Sequence, residues 1–313
     1  MSERVLSVDV GGTKTLAALV ARDGRILAER EQTTRTSAGD EIARALVFGC
    51  AISGVVAEAA HSGGGGGGRG GRSEPLAIVA GVPEYVDPAG RVTSDEVLRW
   101  DTDPNRVLVD LAAGRGVAAE RTRIESDVRL GAHGEGRYGA GRGLASFLYV
   151  SLGTGLSSTL VIDGTPWSGA RGQAIALGEK LLESGENLES VASGTGVERR
   201  YAEATGARLR GPEIVRRSYA GDRVAAVVLE SAGVALADAL ADATELLDPH
   251  AIVIGGGLGA ADTPLMAAAG LRYRRRTERR AGAAEMLRAE CGKRSALLGG
   301  AAVAWDLADG TVG

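Results

Sequence analysis

A strand–turn–strand segment near the start of the chain carries residue types that bind phosphate. The segment LSVDVGGTKTLAALVARDGRIL (Leu6–Leu27) brings together a carboxylate, two glycines, a hydroxyl and an amine, at Asp9, Gly11, Gly12, Thr13 and Lys14. Glycines let the backbone approach phosphates, and the hydroxyl and the amine can donate hydrogen bonds to phosphate oxygens. The carboxylate at the strand end can hold a hydrated magnesium ion. The alternative is an ordinary hairpin with a polar turn, because the spacing is not that of a P-loop.

A shorter echo of this segment follows about half a chain later, in LYVSLGTGLSSTLVIDGTPW (Leu148–Trp167). Its turn between two apolar strands consists of Gly153, Thr154 and Gly155. A repeat at the spacing of one domain indicates a duplicated fold. Two such hairpins would offer two sets of backbone N–H groups to one polyphosphate. The repeat therefore predicts a nucleotide held in a cleft between two domains.

Two further glycine clusters need separate interpretations. An apolar run, residues 251–254, leads directly into Gly255, Gly256 and Gly257, which could pass under a base or a ribose. The residues His61–Ser73 contain six consecutive glycines, and such a run cannot offset the entropy lost on ordering. We predict a solvent loop there, because no strand enters the run and no Lys-Ser/Thr follows it.

Composition excludes several classes of protein. The net charge is −4 with scattered basic residues, so nothing marks a nucleic-acid surface. Apolar segments such as 145–152 are far too short for a membrane span, and residues 1–10 lack the basic start and the long apolar core of a signal peptide. The two cysteines cannot form a disulfide framework and suggest a reducing cytoplasm. The three histidines are far apart in the sequence, which argues against a structural zinc site.

Hydrophobic patterns predict alternating strands and helices. Strands are expected at 5–10, 16–21, 76–82, 107–110, 122–126 and 251–254. Helices are expected at 41–60, 111–120, 187–204, 212–219, 224–247 and 296–307. We divide the chain into a small domain, residues 1–119 with the final helix in 297–313, and a large domain, residues 120–296.

The order of these motifs resembles the ROK family of the hexokinase–actin ATPase superfamily over nearly the whole chain. The matching stretches include both phosphate loops and, in order, AGVPEYVDPAGRV (Ala80–Val92), ESDVRLGAHGE (Glu125–Glu135), LESVASGTGVERRY (Leu188–Tyr201), LDPHAIVIGGG (Leu247–Gly257) and LLGGAAVAW (Leu297–Trp305). The resemblance implies an α/β protein with a duplicated actin-like (ribonuclease H-like) two-domain fold and an interdomain cleft. It also implies ATP and Mg²⁺ as cofactors, a small polyol as substrate and a homodimer.

The resemblance makes Asp127 the general base that accepts the proton of the attacking sugar hydroxyl. Without the resemblance, an Asp between a strand and a helix is more simply a helix N-cap. Ser126 stands where the family has a sugar-contacting Asn, and Arg129 replaces a second Asn; we expect Arg129 to be solvated or paired with an acid. The residues assigned to the substrate side are Glu84, Asp95, Ser126, Asp127, Glu179 and Glu189.

The segment SGARGQAIALGE (Ser168–Glu179) departs most from the family. Ala176 replaces a sugar-binding Glu, Glu179 replaces a His that also serves zinc, and residues 184–187 replace the zinc cysteines, whereas the sugar-contacting Glu189 is retained. We therefore predict a protein without zinc, in which 181–187 is ordered by other means or is mobile. Two carboxylates, Glu179 and Glu189, would favour an amino-substituted sugar or cyclitol.

These features predict an ATP-dependent kinase that phosphorylates a hydroxyl of a hexose-type sugar, an aminosugar or a cyclitol. The alternative is a catalytically weak or inactive sugar-binding regulator, because the same family includes transcriptional repressors. Retention of both Asp9 and Asp127 favours the kinase.

Overall fold

The computed structural model describes residues 3–34, 42–43, 46–62, 74–100 and 102–311. The solvent loop predicted for the glycine run lies outside these ranges at residues 63–73. Contacts between residues divide the chain into two compact units. Unit 1 consists of Met1–Gly139, Ser168–Ala174 and Arg294–Gly313, and unit 2 consists of Ala140–Trp167 and Ile175–Lys293.

The elements of unit 1 come from both ends of the chain. They are β1 (Val5–Val10), β2 (Lys14–Val20), β3 (Ile26–Thr33), β4 (Ile42–Ala43), α1 (Leu46–Ser62), β5 (Ile78–Val82), β6 (Arg99–Trp100), α2 (Pro104–Ala113), β7 (Thr122–Ser126), α3 (Asp127–Tyr138) and α9 (Ser295–Asp309). The elements of unit 2 are β8 (Ser146–Leu152), β9 (Leu156–Ile162), β10 (Thr165–Pro166), α4 (Leu188–Ala192), α5 (Gly194–Thr205), α6 (Gly211–Tyr219), α7 (Arg223–Leu247), β11 (Ala251–Gly255), α8 (Pro264–Thr277) and β12 (Glu285–Arg288).

The main sheet of unit 1 has the strand order β3-β2-β1-β5-β7. β1 is antiparallel to β2 and parallel to β5, and β5 is parallel to β7, so the carboxyl ends of three strands lie at one edge. Apolar layers cover both faces: Leu6 and Val8 pack in the cluster with α1 and α2, and Val5 packs in the cluster with α9. β1 is therefore covered on both faces, although its sequence VLSVDV alternates apolar and polar residues from Leu6 to Val10.

Helices α3 and α9 of unit 1 cross backbone to backbone. A Cβ added to Gly299 of α9 would overlap the carbonyl oxygen of Leu130 of α3, and one added to Gly134 would overlap that of Ser295. Glycine at both positions removes the side chains that would hold the helices apart. The crossing thereby fixes α3, whose first residue is Asp127.

Unit 2 repeats the sheet of unit 1, with the order β10-β9-β8-β11-β12. β8 is antiparallel to β9, and β8, β11 and β12 run parallel. The core of this unit contains the long helix α7, whose N-cap Asp222 accepts hydrogen bonds from two backbone N–H groups of the first turn. The predicted duplication is confirmed by the identical order and direction of the strands.

Among the helices that the structure describes, one, α7, has the length and the apolar composition needed to cross a membrane. Its apolar residues include Leu229, Leu236 and Leu240, which are fully buried in the core of unit 2. Because its apolar face is covered by protein, we interpret α7 as a core helix.

The predicted strand at 107–110 is wrong, because these residues lie in α2. The Asp103 side chain accepts a hydrogen bond from the Asn105 N–H at 3.0 Å, and Pro104 occupies the first turn. Pro104, Leu108 and Ala112 are buried at every fourth position, which is helical periodicity. The predicted helix at 111–120 accordingly matches only the end of α2, and neither α8 nor β12 was predicted.

The predicted domain boundary at 119/120 differs from the division at 139/140 that the contacts give. β7 pairs with β5, where Glu125 lies opposite Gly81, and α3 packs against α9. Residues 122–138 therefore belong to unit 1, as does the short segment Ser168–Ala174.

Candidate active site

Two carboxylates of unit 1 lie at the carboxyl ends of parallel strands. Asp9 is the penultimate residue of β1, and Asp127 follows β7 directly as the first residue of α3. The strand between them, β5, pairs Gly81 with Asp9. A Cβ on Gly81 would lie 3.7 Å from Asp9 Oδ1 and 3.7 Å from the Asp127 Cα. Both acids thus border the same side-chain-free position.

Burial changes the acidity of both groups. It raises the pKa of Asp9 from 3.8 to about 6. Burial is also the main cause that raises the pKa of Asp127 to about 7, and the negative charge of Asp9 adds to it, against a hydrogen bond from the Val128 N–H. The N-cap of α3 is Ser126, not Asp127. The capping alternative for Asp127 is therefore wrong, and its carboxylate has a pKa suited to accepting a proton near neutral pH.

The first phosphate loop is held by a residue that the sequence did not single out. The Gly11 N–H donates to the Lys14 carbonyl at 2.8 Å and closes the turn. Thr34, which is 3% exposed, donates its hydroxyl to the Gly11 carbonyl at 2.7 Å and its N–H to the Thr13 carbonyl at 2.9 Å. Its hydroxyl also lies 2.9 Å from that of Thr15. Thr34 therefore holds the loop in place through hydrogen bonds. The sequence does not reveal this role, because Thr34 reaches the loop only through the pairing of β2 with β3.

Lys14, predicted to bind phosphate, forms an exposed ion pair. Its Nζ lies 2.6 Å from a Glu31 carboxylate oxygen, with the two side chains 62% and 53% exposed. Exposed pairs contribute about 0–1 kcal/mol. Exchange of this carboxylate for a phosphate oxygen would therefore cost little.

The carboxylate of Glu84, predicted to bind substrate, accepts hydrogen bonds from residues of its own unit. One carboxylate oxygen accepts hydrogen bonds from Ser94 Oγ at 2.5 Å and from the Glu96 N–H at 2.9 Å. The other accepts from the N–H groups of Val97 at 2.9 Å and Leu98 at 2.7 Å. Four donors fill the acceptor positions of a carboxylate. This geometry does not support substrate contact by Glu84.

The loop that Glu84 holds lies against the first phosphate loop. A Cβ on Gly12 would lie 3.0 Å from Val97 Cγ1, which is a tight contact. Asp95, the other substrate residue predicted here, is exposed.

In unit 2, the structure brings two of the predicted glycine motifs together. The Gly153 N–H donates to the Gly155 carbonyl at 2.9 Å, which closes the turn as in the first loop. Gly256, at φ 80°, packs on the backbone of Leu152, and Gly257 has open space where a Cβ would point. Because β8 and β11 are adjacent and parallel, both motifs lie at the carboxyl ends of neighbouring strands.

Helix α5 braces the second loop. The Gly194 N–H donates to the Gly153 carbonyl at 2.9 Å. The Thr195 N–H and hydroxyl donate to the Thr154 carbonyl at 3.1 and 3.0 Å. Thr154 and Gly155 remain exposed, so their own groups are available to a ligand.

The retained carboxylate Glu189 lies beside this loop. One of its oxygens accepts the Leu156 N–H at 2.7 Å and would lie 2.8 Å from a Cβ on Gly155. Among the described residues, no donor reaches the other oxygen. Gly178 packs beside the Glu189 side chain, and Glu179 follows it as an exposed residue. The two acids predicted to face one ligand are therefore near neighbours in unit 2.

Arg129 is paired with an acid, as predicted, but it is not solvated. Its side chain is 3% exposed and its Nε donates to Glu125 at 2.7 Å. Ser126 is also buried, and its side chain makes no capping hydrogen bond to α3.

The loop 181–187, where the family has zinc ligands, is ordered by hydrogen bonds and an ion pair. The Leu182 N–H donates to the Glu186 carbonyl at 2.9 Å, and Leu181 bridges to Asn187. Arg199 binds the Glu186 carboxylate at 2.6 Å and the Ser190 carbonyl at 3.0 Å. In the described part of the chain, no group of three or more His, Cys, Asp or Glu residues could hold a metal.

A magnesium ion carried by a nucleotide would need few protein ligands, and Asp9 fits that requirement. No hydrogen bond within the described residues engages its carboxylate. Mg²⁺ is typically bound by one or two carboxylates together with phosphates and water.

Two sheets of identical order, each with a glycine turn after its first strand, define a duplicated actin-like α/β fold. A model of the ROK family matches residues 5–306, and the chain belongs to this family.

Its relatives include named sugar kinases. The chain is 33% identical over 267 residues to the bifunctional enzyme NanE/NanK of Brucella suis biovar 1. The aligned region covers 83% of this chain and 46% of that protein. The chain thus spans about half the length of this curated relative. It is 29% identical to the kanosamine kinase of Amycolatopsis mediterranei, over 82% of this chain and 80% of that one. A ROK family glucokinase from Streptomyces griseus, solved with glucose and AMPPNP, is 26% identical with a TM-score of 0.77 and covers 97% of this chain and 99% of its own.

Proposed function

We propose that this chain is an ATP-dependent carbohydrate kinase that transfers the γ-phosphoryl group of ATP to a hydroxyl of a sugar-like polyol. The observation that carries the proposal is the pair Asp9 and Asp127 beside Gly81, next to the first phosphate loop. The names of the relatives support the same class of reaction.

Asp127 is the base of this reaction. Its carboxylate accepts the proton of the acceptor hydroxyl while the hydroxyl oxygen bonds to the γ-phosphorus and the bond to the leaving ADP oxygen breaks. Within this proposal, phosphate binding is assigned to the backbone N–H groups of Gly11–Thr13 and of Gly153–Gly155, and adenosine binding to Gly255–Gly257. Asp9 would hold magnesium through water, and the ion would neutralise phosphate charge.

The acceptor, within this proposal, is an amino-substituted sugar or cyclitol. Glu189 offers one carboxylate oxygen that accepts no hydrogen bond within the described residues, and the neighbouring Glu179 is exposed without a cationic partner there. A ligand ammonium group would relieve the repulsion between these two anions. The kanosamine kinase among the relatives, named for an amino sugar, supports this choice.

A comparison of acceptors tests the substrate. We expect kcat/KM for glucosamine to exceed that for glucose, and the preference to shrink in Glu179→Gln. Glu183→Gln, which removes another exposed carboxylate from the same region, serves as the matched control and should leave the preference intact. Equal use of both sugars, or a preference that survives Glu179→Gln, would contradict the proposal.

A coupled ATP-consumption assay over hexoses, aminosugars and cyclitols tests the activity itself. Acceptor-dependent ADP formation that disappears in Asp127→Asn supports the kinase. A sugar that binds without any turnover would instead support the alternative, a sugar-binding regulator. We also propose a cytoplasmic homodimer, since ATP is the phosphoryl donor and the family resemblance implies a dimer.

A further inference from the structure

One buried arginine of unit 1 connects three separate parts of the chain. Arg129 donates from Nε to the Glu125 carboxylate at 2.7 Å. Its Nη1 donates to the Gly172 carbonyl at 3.1 Å, and its Nη2 donates to the Val86 carbonyl at 2.5 Å. The side chain is 3% exposed. A charged group at this depth is retained only where its hydrogen bonds are satisfied, so this set of contacts is a built arrangement.

The segment Ser168–Ala174, which Arg129 contacts at Gly172, packs closely on the rest of unit 1. Gly172 has a φ of 79°, and a Cβ there would overlap the carbonyl oxygen of Val86. The carbonyls of Gly172 and Val86 both accept hydrogen bonds from the Arg129 guanidinium. Hydrogen bonds from a charged donor are stronger than those between neutral groups, so this shared donor ties the two backbone segments together.

The position of Arg129 relates this seat to the chemistry. Arg129 lies in the first turn of α3, two residues after Asp127. Its partner Glu125 lies two residues before Asp127. The segment it holds is followed in sequence by Ala176 and Glu179, where the chain departs from its family. We infer that Arg129 is a positioning residue, which holds Ser168–Ala174 beside the catalytic base and thereby shapes the acceptor site.

This role requires an arginine rather than another cation. Arg129 uses three different nitrogens for three partners that lie in different directions, whereas a lysine presents all its donors from one atom. Glu125 balances the charge of Arg129. The inference rests on the proposed kinase function for its kinetic readout, but not for its structural one.

The kinetic test compares Arg129→Lys and Arg129→Met with the wild type. We expect the acceptor KM to rise at least about tenfold in both variants, while the KM for ATP changes less than about twofold. Ser295→Ala is the matched control, because it removes a buried hydrogen bond, 2.8 Å to Glu135, from another part of α3. It should lower stability without affecting the acceptor KM. Full activity of Arg129→Lys would show that charge alone suffices and would overturn the positioning role.

Limited trypsin digestion tests the seat without any turnover. Arg171 is exposed within the segment and precedes Gly172. Loss of the hydrogen bonds from Arg129 to the Gly172 and Val86 carbonyls should accelerate cleavage after Arg171 several-fold in the Arg129 variants. Cleavage of Ser295→Ala should stay at the wild-type rate. If no acceptor is phosphorylated by the wild type, the kinase proposal fails while this measurement still decides whether Arg129 holds the segment.

A second variant covers the case in which Arg129 variants do not fold. Gly172→Ala disturbs the seat from the other side and leaves the Glu125–Arg129 ion pair in place. It should raise the acceptor KM and the cleavage rate in the same way. An unchanged cleavage rate, or faster cleavage with an unchanged acceptor KM, would overturn the inference.

Discussion

Three carboxylates of unit 1 differ in the number of donors that reach them. Glu84 accepts four hydrogen bonds, Asp127 accepts one from the Val128 N–H, and no donor in the described chain reaches Asp9. A carboxylate saturated with donors stays in its structural place, whereas one with free lone pairs can bind a cation or a proton. The number of donors, more than the sequence position, distinguishes Glu84, which anchors a loop, from Asp9 and Asp127, which we propose to be the reactive groups.

Asp127→Asn should abolish turnover and stabilise the fold at the same time. The carboxamide cannot accept the proton, so kcat should fall by roughly 10²–10⁴. Folding raises the pKa of this carboxyl from 3.8 to about 7, so its ionised form costs stability, increasingly as pH rises through that window. The gain in melting temperature should therefore be larger at pH 8 than at pH 4.

Thermal melts at both pH values, with nucleotide binding measured in parallel, check this prediction. Retained ATP affinity separates loss of the base from loss of the site. A variant that turns over near the wild-type rate on the true substrate would remove Asp127 from the mechanism.

The same pKa predicts the acid limb of the activity profile. The base must be ionised to accept a proton, so kcat/KM should fall as pH decreases through about 7. When the varied substrate is the one that binds first, the pH dependence of kcat/KM reports the free enzyme, to which this pKa applies. A kcat/KM that stays flat from pH 8 to pH 5 would contradict the raised pKa.

At the level of individual residues, part of the candidate active site was predictable from the sequence. Asp9, the glycine turns and Asp127 follow from local patterns and the family resemblance. The role of Glu84 does not, because its donors lie 10–14 residues away and converge only in the fold. The burial of Arg129 is hidden for the same reason, since its carbonyl partners are 43 residues distant in either direction.

At the level of elements, the two sheets share their topology but differ in chemistry. In unit 1, Asp9 of β1 pairs with Gly81, and in unit 2, Ser151 of β8 pairs with Gly255 at the corresponding register. The strand ends of unit 1 thus carry acids, and those of unit 2 carry mainly glycines. Duplication preserved the backbone that presents N–H groups while the side chains diverged.

The crossing of α3 and α9 gives a prediction about packing. Gly299→Ala should destabilise unit 1 by about 1–3 kcal/mol or more, because its Cβ would overlap the Leu130 backbone and the helices must separate. Gly270→Ala in α8 is the control, since its Cβ would meet its nearest neighbour at an ordinary 3.5 Å. Alanine there should stabilise by up to about 1 kcal/mol. Chemical denaturation of both variants measures the contrast, and equal effects would refute the packing argument.

Elements with a clear period were predicted well, and short apolar runs were not. The long helix α7 and the strands β1, β7 and β11 follow from pattern alone. In α2, Val107 and Val109 suggested a strand, although the cap at Asp103 and the following Pro104 already indicate a helix start. The local propensity of β-branched residues was given too much weight against the capping signal.

At the level of the whole molecule, unit 1 is assembled from three stretches of chain. The predicted boundary at 119/120 followed the repeat, whereas the contacts divide the chain at 139/140 because β7 and α3 pair and pack with elements of the first copy. Contacts between stretches so far apart leave no trace in composition or periodicity.

The purified protein should contain less than about one zinc per chain, and a chelator should leave its unfolding transition unmoved apart from magnesium effects. The reason is that residues 184–187 stand where the family has its zinc cysteines and Glu179 stands where it has its zinc-binding His. Elemental analysis and melts with and without EDTA check this. Tightly held, stoichiometric zinc would show that this interpretation of 181–187 is wrong.

The dependence of α3 on α9 has a consequence for synthesis on the ribosome. Residues 295–309 are translated well over a hundred residues after Asp127, yet they provide the surface against which its helix packs. While the nascent chain lengthens, almost all of unit 2 has emerged and can fold, but unit 1 still exposes the apolar face that Trp305 and Leu297 will cover. The growing chain therefore carries an unfinished unit 1 that chaperones can recognise, and the helix that begins at Asp127 is held in place only after residues 295–309 have been translated.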